Sequence, residues 1–344
     1  MAFLPSDRAS GVTGALLAGR LTRNTQTTHY LNESEPTTVT NTPTGRGWDN
    51  SANLQNKLAI LNGFGRCMGD TIIGLQALAV ARARGLIGLR PTVFRLPGRG
   101  PVIDGIYAAA ADIVETRDLP WSDATRKWSF AGATDFDRVI DIRDFAFDPH
   151  FRQVAMIDYF LRNLGVDPAS VVPAERRNAW LAPRISLLEV ANEQVLVCPI
   201  SNSPLRNMPE AVHARVLDWF SARGVPVLTQ ATLPRCDNLT ALCNLMVGTR
   251  LVVSVDTGMV HLADALGVPC LAFFISHRPV WRVRDYPLCI PVHLPAPGLP
   301  EALEFPRDDA DVAASQAAWF EPDADLRWLN ASLAGAWPEN ECHA

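Results

Sequence analysis

The stretch "RLVVSVDTGMVHLADALGVPCLAFF", residues 250–274, has two apolar runs separated by a segment with apolar residues at helical spacing. The pattern predicts a buried strand over 250–256, a helix over 257–267 and a second strand over 268–274. Two strands joined through a helix run parallel. We therefore expect a parallel sheet with helices on both faces.

The same alternation extends along most of the chain. Further strands are predicted over 58–61, 91–96, 135–144, 195–200 and 225–230, and helices over 71–84, 151–168, 210–224 and 239–249; 100–115 reads as a helix followed by a strand. The segment 175–194 shows little pattern and is predicted to be a connection. Alternating strands and helices indicate an α/β protein with doubly wound sheets.

This organisation predicts two Rossmann-like domains, at residues 57–187 and 188–320. A chain of 344 residues with 48% hydrophobic content can bury two cores of ordinary size. Residues 1–56, rich in Thr, Asn, Ser and Pro, are predicted to form an extended or partly disordered leader. Residues 321–344 are expected to form a final helix and tail.

Composition excludes several classes of protein. A formal net charge of -5 leaves no basic surplus for a nucleic-acid partner. The seven cysteines are scattered, with no Cys-x-x-Cys and no histidine at ligand spacing, which favours reduced thiols over a disulfide framework or a metal site. The first residues resemble neither a signal peptide nor a membrane span. We therefore expect a cytoplasmic protein.

A candidate anion site lies where the strand at 250–256 gives way to its helix. Asp256, Thr257 and Gly258 fall on this junction, at the edge where open parallel sheets bind ligands. Thr257 can cap the helix, Gly258 can let a ligand approach the backbone, and the first-turn amides with His261 can bind a phosphate. The alternatives are an ordinary capping turn and a structural histidine.

A second polar loop, "CPISNSPLRNMP" at 198–209, follows the strand at 195–200. Ser201, Asn202 and Ser203 offer hydroxyl and amide groups, and Arg206 offers a guanidinium. This composition suits phosphate oxygens, which accept several hydrogen bonds. The alternative is a polar loop that binds only water.

A third loop, "GFGRCMGD" at 63–70, joins the first strand to the first helix. It matches neither a Walker loop nor a dinucleotide fingerprint. Asp70 can act as a general base toward a bound hydroxyl. The alternative is an aspartate that caps the helix.

Three segments together resemble the heptosyltransferase family of nucleotide-sugar glycosyltransferases. They are "GFGRCMGDTIIGLQAL" at 63–78, "CPISNSPLRNMP" at 198–209 and "VSVDTGMVHLADALGVPCLAFF" at 253–274. The third nearly fills an Asp-(Ser/Thr)-Gly-x-x-His-(Leu/Ile)-Ala-x-Ala-x-Gly-x-Pro pattern and is the most specific. The resemblance covers about residues 57–285.

The resemblance implies a GT-B architecture, with two domains facing across a cleft, the acceptor on the first and the donor on the second. It implies an inverting, metal-independent transfer without a cofactor, with ADP-heptose as the first candidate donor. The acceptor would be a saccharide of bacterial lipopolysaccharide core, another lipid-linked glycan or a protein, reached at the cytoplasmic face of the inner membrane. The implied site residues are Asp70 as base and, for substrate binding, Gly69, Ser201, Asn202, Arg206, Asp256, Thr257, Gly258 and His261.

Two departures from the family pattern leave alternatives open. Arg206 stands where the family commonly has Lys. No acidic residue that could bind the ribose is evident in "LTQATLPRCDN" at 228–238, so the identity of the donor's nucleotide stays open. The alternatives are another GT-B enzyme, such as a sugar-nucleotide epimerase, hexosyltransferase or protein glycosyltransferase, or a non-catalytic binding protein of the same fold.

Overall fold

The computed structural model describes residues 57–87, 90–120, 130–188, 194–229, 232 and 236–337. The predicted leader at 1–56 and the end of the predicted tail, 338–344, lie outside the described residues.

The first sheet has four parallel strands in the order β3-β2-β1-β4. Its strands are β1 (Leu58–Leu61), β2 (Thr92–Arg95), β3 (Glu115–Asp118) and β4 (Arg138–Asp141). Its helices are α1 (Met68–Ala83), α2 (Pro101–Ala109), α3 (Met156–Asn163) and the short α4 (Pro173–Arg176). β1 is buried at all four positions, as expected of a central strand in a sheet covered on both faces.

The second sheet has five parallel strands in the order β6-β5-β7-β8-β9. Its strands are β5 (Gln194–Cys198), β6 (Val227–Thr229), β7 (Thr249–Val255), β8 (Cys270–Phe274) and β9 (Cys289–His293). Its helices are α5 (Glu210–Ser221), α6 (Leu239–Val247), α7 (Gly258–Leu266), α8 (Pro279–Arg282), α9 (Asp309–Ala317) and α10 (Arg327–Ala336). The predicted α/β architecture with two parallel sheets is confirmed.

One strand and one longer helix, β9 and α9, have no counterpart in the sequence prediction, and the four-residue helices α4 and α8 have none either. The strand "CIPVH" contains a proline and is largely exposed or half-buried, so it shows no continuous apolar run. The helix "DADVAASQA" buries only Asp311 and Ser315, so no apolar stripe marks it. β9 is an edge strand of the second sheet, and α9 packs against the loop after β5, where Gln316 Nε2 donates to the carbonyl of Asn207 at 2.9 Å.

The helices between the two sheets share one apolar core. Leu75 of α1, Leu242 of α6 and Val260 of α7 belong to a single hydrophobic cluster. A Cβ added to Gly105 of α2 would lie 2.7 Å from Cβ of Leu239, so α2 and α6 also pack closely. The two sheets are therefore joined by direct helix packing.

Each sheet reverses its strand order at one point, between β1 and β4 in the first sheet and between β5 and β7 in the second. In open parallel sheets, ligands bind outside the carboxyl ends of the strands at such a switch point. The loops after β1, β5 and β7 are the three loops that the sequence singles out. The topology thus places all three at switch points.

Across the described ranges, no helix is both long and apolar enough to span a bilayer.

Candidate active site between the two sheets

The first turns of α1 and α7 meet at two glycines. A Cβ added to Gly258 would lie 2.8 Å from Cε of Met68 and 3.1 Å from the amide nitrogen of Gly69. A Cβ added to Gly69 would collide with the imidazole ring of His261. Both glycines therefore allow two helix starts, one from each sheet, to approach closely. α1 fills the side of Gly258 where a Cβ would lie. Close approach of a ligand to the Gly258 backbone remains a prediction.

The loop that leads from β1 into α1 has an unusual backbone. Asn62, Gly63, Phe64 and Gly65 have φ angles of 80°, 54°, 58° and 103°, in the left-handed region that non-glycine residues rarely adopt. Asn62 Nδ2 donates to the carbonyl of Arg143 at 3.1 Å, and the hydroxyl of Tyr107 donates to the carbonyl of Gly63. Strain held in place by such contacts concentrates at functional sites.

Asp70 is the third residue of α1 and does not cap it. The N-cap is Cys67, whose side chain makes no capping hydrogen bond, so the capping alternative for Asp70 is wrong. Burial and the nearby Glu304 carboxylate raise the pKa of Asp70 to about 7, against the opposing effect of Arg282. A carboxyl group with a pKa near neutrality can exchange a proton with a bound hydroxyl.

Thr257 caps α7, as the sequence predicts. Its Oγ1 accepts from the amide of Met259 at 3.2 Å and lies 3.1 Å from Oγ of Ser254. Because Ser254 Oγ donates to the carbonyl of Val255 at 2.7 Å, the Thr257 hydroxyl donates to Ser254. The single hydroxyl hydrogen of Thr257 is thus used inside the protein. The amides of Met259 and Val260 donate to Thr257, to its Oγ1 and to its carbonyl oxygen, so this helix end offers an anion the amide of Gly258 and the positive end of the helix dipole.

The loop after β5 is organised by its own polar side chains. Ser201 Oγ accepts from the amide of Ser203 at 3.0 Å, and the amide of Ser201 donates to Asn207 Oδ1 at 2.8 Å. Asn202 Oδ1 accepts from Arg206 Nη2 at 2.5 Å, while Asn202 Nδ2 lies 3.5 Å from the thiol sulfur of Cys67. This loop therefore touches the N-cap of α1, which belongs to the other sheet.

Five ionisable side chains, which we call the charge cluster, lie between these loops: Arg206, Asp256, His277, Arg282 and Glu304. Arg206 Nη1 and Arg282 Nε lie 3.3 and 3.9 Å from Asp256 Oδ2. Arg282 Nη2 donates to Glu304 Oε1 at 2.8 Å, and His277 Nε2 lies 3.2 Å from the same oxygen. Two guanidinium groups are thus shared between two carboxylates.

The charge cluster keeps both of its carboxylates ionised. Burial alone would raise the pKa of Asp256, but Arg206 and Arg282 lower it below its ordinary value. Burial also opposes ionisation of Glu304, yet His277 and Arg282 hold its pKa well below the usual range. Among the described residues, no arginine, lysine or histidine lies within 4.0 Å of the nearby Asp70 carboxyl group to form an ion pair. One carboxyl group in the cleft therefore titrates near neutrality while its two neighbours remain charged.

His261 is buried against the start of α1 and is neutral. Its Nδ1 lies 2.9 Å from the hydroxyl of Tyr286, and the two rings meet edge to face with centroids 5.8 Å apart. Burial lowers the pKa of His261 to about 4, against the opposing effect of Asp256. The histidine that the sequence places in the first turn of α7 thus lies at the contact between the sheets.

Sequence reasoning missed three members of the charge cluster: Arg282, His277 and Glu304. The first two lie in "HRPVWRVRD", residues 277–285, directly after β8. Because β8 neighbours β7 in a parallel sheet, charged residues at its carboxyl end belong beside Asp256. That signal was present in the sequence. For Glu304, in an irregular segment before α9, no local pattern marks a role.

Within the described parts of the chain, no three or more His, Cys, Asp or Glu side chains are grouped so as to hold a metal ion.

The chain is similar to the heptosyltransferase family, and the resemblance inferred from its motifs is confirmed. Residues 222–285 match the family model described as glycosyltransferase family 9 (heptosyltransferase). The matched segment contains β6, α6, β7, α7, β8 and α8, and it includes Asp256, Thr257, Gly258 and His261. No curated protein matches the sequence.

Several solved structures have a similar fold. The iron-containing dodecameric glycosyltransferase TibC from enterotoxigenic E. coli H10407 is 15% identical, with a TM-score of 0.55 over 82% of this chain and 76% of that chain. E. coli ADP-heptose LPS heptosyltransferase II is 14% identical, with a TM-score of 0.50 over 81% and 99%. E. coli heptosyltransferase WaaC, solved with ADP, is 15% identical, with a TM-score of 0.47 over 70% and 94%. The first two likenesses confirm a GT-B-type fold.

Proposed function

We propose that this heptosyltransferase-like glycosyltransferase moves a sugar from a nucleotide-diphosphate sugar to a hydroxyl acceptor, with inversion at the anomeric carbon. The observation that carries the proposal is the contact between the first turn of α1, which carries Asp70, and the start of α7, each directly after a strand at a switch point. Residues 57–187 would hold the acceptor and residues 188–320 the donor. The reaction would take place in the cytoplasm, at the inner membrane surface if the acceptor is lipid-linked.

The donor's diphosphate would lie at the start of α7 and beside Arg206. The Gly258 amide and the positive end of the helix dipole would attract an anion there. Arg206 and Arg282 are the guanidinium groups of the charge cluster, and their contacts with Asp256 and Glu304 fix their positions before a ligand binds. Such preorganised groups stabilise the negative charge that develops on the leaving diphosphate.

Asp70 would act as the general base. In its ionised form it accepts the proton of the acceptor hydroxyl, whose oxygen attacks the anomeric carbon as the bond to the diphosphate breaks. Attack from the side opposite the leaving group inverts the configuration. A base with a pKa of about 7 is matched to this task at neutral pH.

A heptose donor is supported by the similar fold of TibC, which has been solved in complex with ADP-D-β-D-heptose. We extend that ligand class to this chain as part of the proposal, with ADP-heptose as the first candidate. We also propose that the transfer needs no metal, because guanidinium groups and helix amides supply the positive charge that a cation would otherwise provide.

An anionic acceptor is favoured by two arginines near Cys67. The pKa of Arg99 is lowered by burial and by the like charge of Arg66, and its Nε is buried without a hydrogen-bond partner. Two guanidinium groups that repel each other are stabilised when a negative group binds between them. The acceptor would be a saccharide of lipopolysaccharide core or another surface glycan that carries phosphate or carboxylate groups.

The proposal is tested by measuring thermal unfolding with ADP-, GDP-, UDP- and dTDP-linked sugars in turn. A ligand that binds the native state raises the melting temperature by mass action. We expect one ADP-linked sugar to raise it most, and that donor to be consumed only when an acceptor is added. Consumption of the donor without acceptor, with formation of an isomeric nucleotide sugar, would instead indicate an epimerase.

A further inference from the structure

A chain of buried hydrogen bonds reaches His261 from the segment that connects the two sheets. Asn178 Nδ2 donates to the hydroxyl oxygen of Tyr286 at 2.6 Å, and that hydroxyl lies 2.9 Å from Nδ1 of His261. All three residues are buried, and Asn178 is completely so. No motif singles out Asn178 or Tyr286, which are 108 residues apart in sequence.

The orientation of the Asn178 amide is fixed by Asp264. Asp264 Oδ2 accepts from the backbone amide of Asn178 at 2.8 Å and from its Nδ2 at 3.0 Å. With this orientation Asn178 Nδ2 donates one hydrogen to Asp264 and the other to Tyr286. The reversed orientation would place the amide oxygen against Asp264 Oδ2, which already accepts a backbone N–H, and would leave the NH2 group without the Asp264 bond.

The direction of these bonds determines the protonation of the imidazole. The Tyr286 oxygen accepts from Asn178, and its single hydrogen finds an acceptor in His261 Nδ1 when that nitrogen carries no proton. Burial raises the pKa of Tyr286 well above its ordinary value, so the hydroxyl keeps that hydrogen. We propose that Asn178 and Tyr286 are positioning residues that hold His261 as the neutral imidazole with its proton on Nε2.

The Nε2–H edge of His261 faces the start of α1. A Cβ added to Gly69 would lie 3.2 Å from Nε2 and would collide with Cδ2. Gly69 immediately precedes Asp70, so this edge of the ring lies beside the neighbour of the proposed base. The charges that act on His261 are those of Asp256, Arg282 and Arg206.

The role of this N–H rests on the proposed function. A neutral imidazole that donates from Nε2 can hydrogen-bond to a phosphate oxygen of the leaving diphosphate without adding a charge to the cleft. An imidazole with the opposite tautomer would present a lone pair to that oxygen and repel it. Orienting one tautomer through a buried partner is a recurrent device in enzymes that use histidine.

The tautomer is measured directly by ¹⁵N–¹H correlation NMR on the full chain labelled at histidine. The chain has seven histidines, and His261→Gln identifies the signal of interest. We expect His261 in the wild type to show a bare Nδ1 and a protonated Nε2 at pH 7. A protonated Nδ1 in the wild type would overturn the proposal. This measurement needs no substrate, so its result does not depend on whether the chain is a glycosyltransferase.

Tyr286→Phe removes the donor to Nδ1 and keeps the ring. We expect part of the His261 population in this variant to carry its proton on Nδ1 instead of Nε2. Asn178→Ala should shift the population in the same direction by a smaller amount. Tyr159→Phe is the matched control, since it also removes a tyrosine hydroxyl that makes a 2.9 Å hydrogen bond, there to Asp148 Oδ2. An unchanged His261 tautomer in Tyr286→Phe would overturn the proposal.

A transfer assay adds a second readout. If the tautomer assists departure of the diphosphate, Tyr286→Phe lowers kcat by about 10-fold or more while the KM for donor changes little, because loss of the correct tautomer affects the transition state. A loss of kcat that equals the loss of folded protein, with the tautomer unchanged, would show a purely structural role.

Discussion

Gly69 and Gly258 bring the first turns of α1 and α7 into backbone contact, with only 3.1 Å between the amide nitrogen of Gly69 and a Cβ built on Gly258. One helix follows the central strand of the first sheet and the other follows the central strand of the second. Both helix starts therefore bring their positive dipole ends to the same place. The proposed base and the proposed anion site are therefore held together by helix packing.

Substitution of either glycine should disturb this contact. Gly69→Ala places a methyl group against the His261 ring, and we expect it to lower the free energy of unfolding by about 1–3 kcal/mol and to reduce donor affinity. Gly335→Ala in α10 is the control, because nothing lies within 4 Å of its added Cβ. Thermal unfolding and donor titration of the two variants provide the comparison. Equal behaviour of the two would show that α1 and α7 are not in contact in solution.

The pKa of Asp70 should set the acid limb of the pH profile. Transfer needs the ionised form, so kcat/KM is expected to rise with pH through about 7. Glu304→Gln removes a negative charge that raises this pKa, and the limb should move to lower pH. Glu301→Gln, an exposed residue paired with Arg278, is expected to leave the limb in place. A limb that does not move in Glu304→Gln would argue against Asp70 as the titrating group.

Asp70 should also cost stability at neutral and alkaline pH. Its folded-state pKa of about 7 lies above the value of 3.8 for an unperturbed Asp, so the native state binds more protons between these two pH values. Stability from this group is present at pH below 4 and is lost as pH rises through 7. We expect Asp70→Asn to raise the melting temperature at pH 8 by several degrees and to change it little at pH 4. The same gain at both pH values would contradict the raised pKa.

The charge cluster should make Arg206 important for donor binding. Arg206→Ala removes one guanidinium and leaves the buried Asp256 with fewer partners, so we expect the Kd for the nucleotide sugar to rise by about 10- to 100-fold. Arg206→Lys keeps the positive charge, and its Kd should lie between those of the wild type and Arg206→Ala. Arg307→Ala, which removes an exposed cation paired with Asp311, is the control for net charge. Isothermal titration measures all three, and equal Kd values in Arg206→Ala and the control would exclude Arg206 from the donor site.

Most of the fold follows from local patterns. The strands β1, β5, β7 and β8 are largely apolar and buried, and the helices α1, α5, α6 and α7 bury apolar residues, so their types and order are evident from the sequence. The strand β9 is not evident, since its exposed edge and its proline remove the signal. Local propensity could not predict an edge strand whose pairing with β8 depends on the rest of the sheet.

The site was predictable only where it lies on a motif. Asp256, Thr257 and His261 follow a buried strand, and the parallel sheet explains their location. The contacts between distant segments were not predictable, because no periodicity relates Glu304 to Arg282 or Asn178 to Tyr286. Asn178 lies in a connection that shows little pattern, and its importance arises only when α7 packs beside it.

The most direct test of the central claim is the behaviour of Asp70→Asn when donor binding and sugar transfer are measured on the same preparation. We expect the nucleotide sugar to bind with a Kd within a few-fold of the wild-type value, since the charge cluster and the start of α7 are unchanged. Transfer to the acceptor should fall by about 10²- to 10⁴-fold, the usual loss when a general base is removed. Wild-type rates of transfer by this variant would contradict the account.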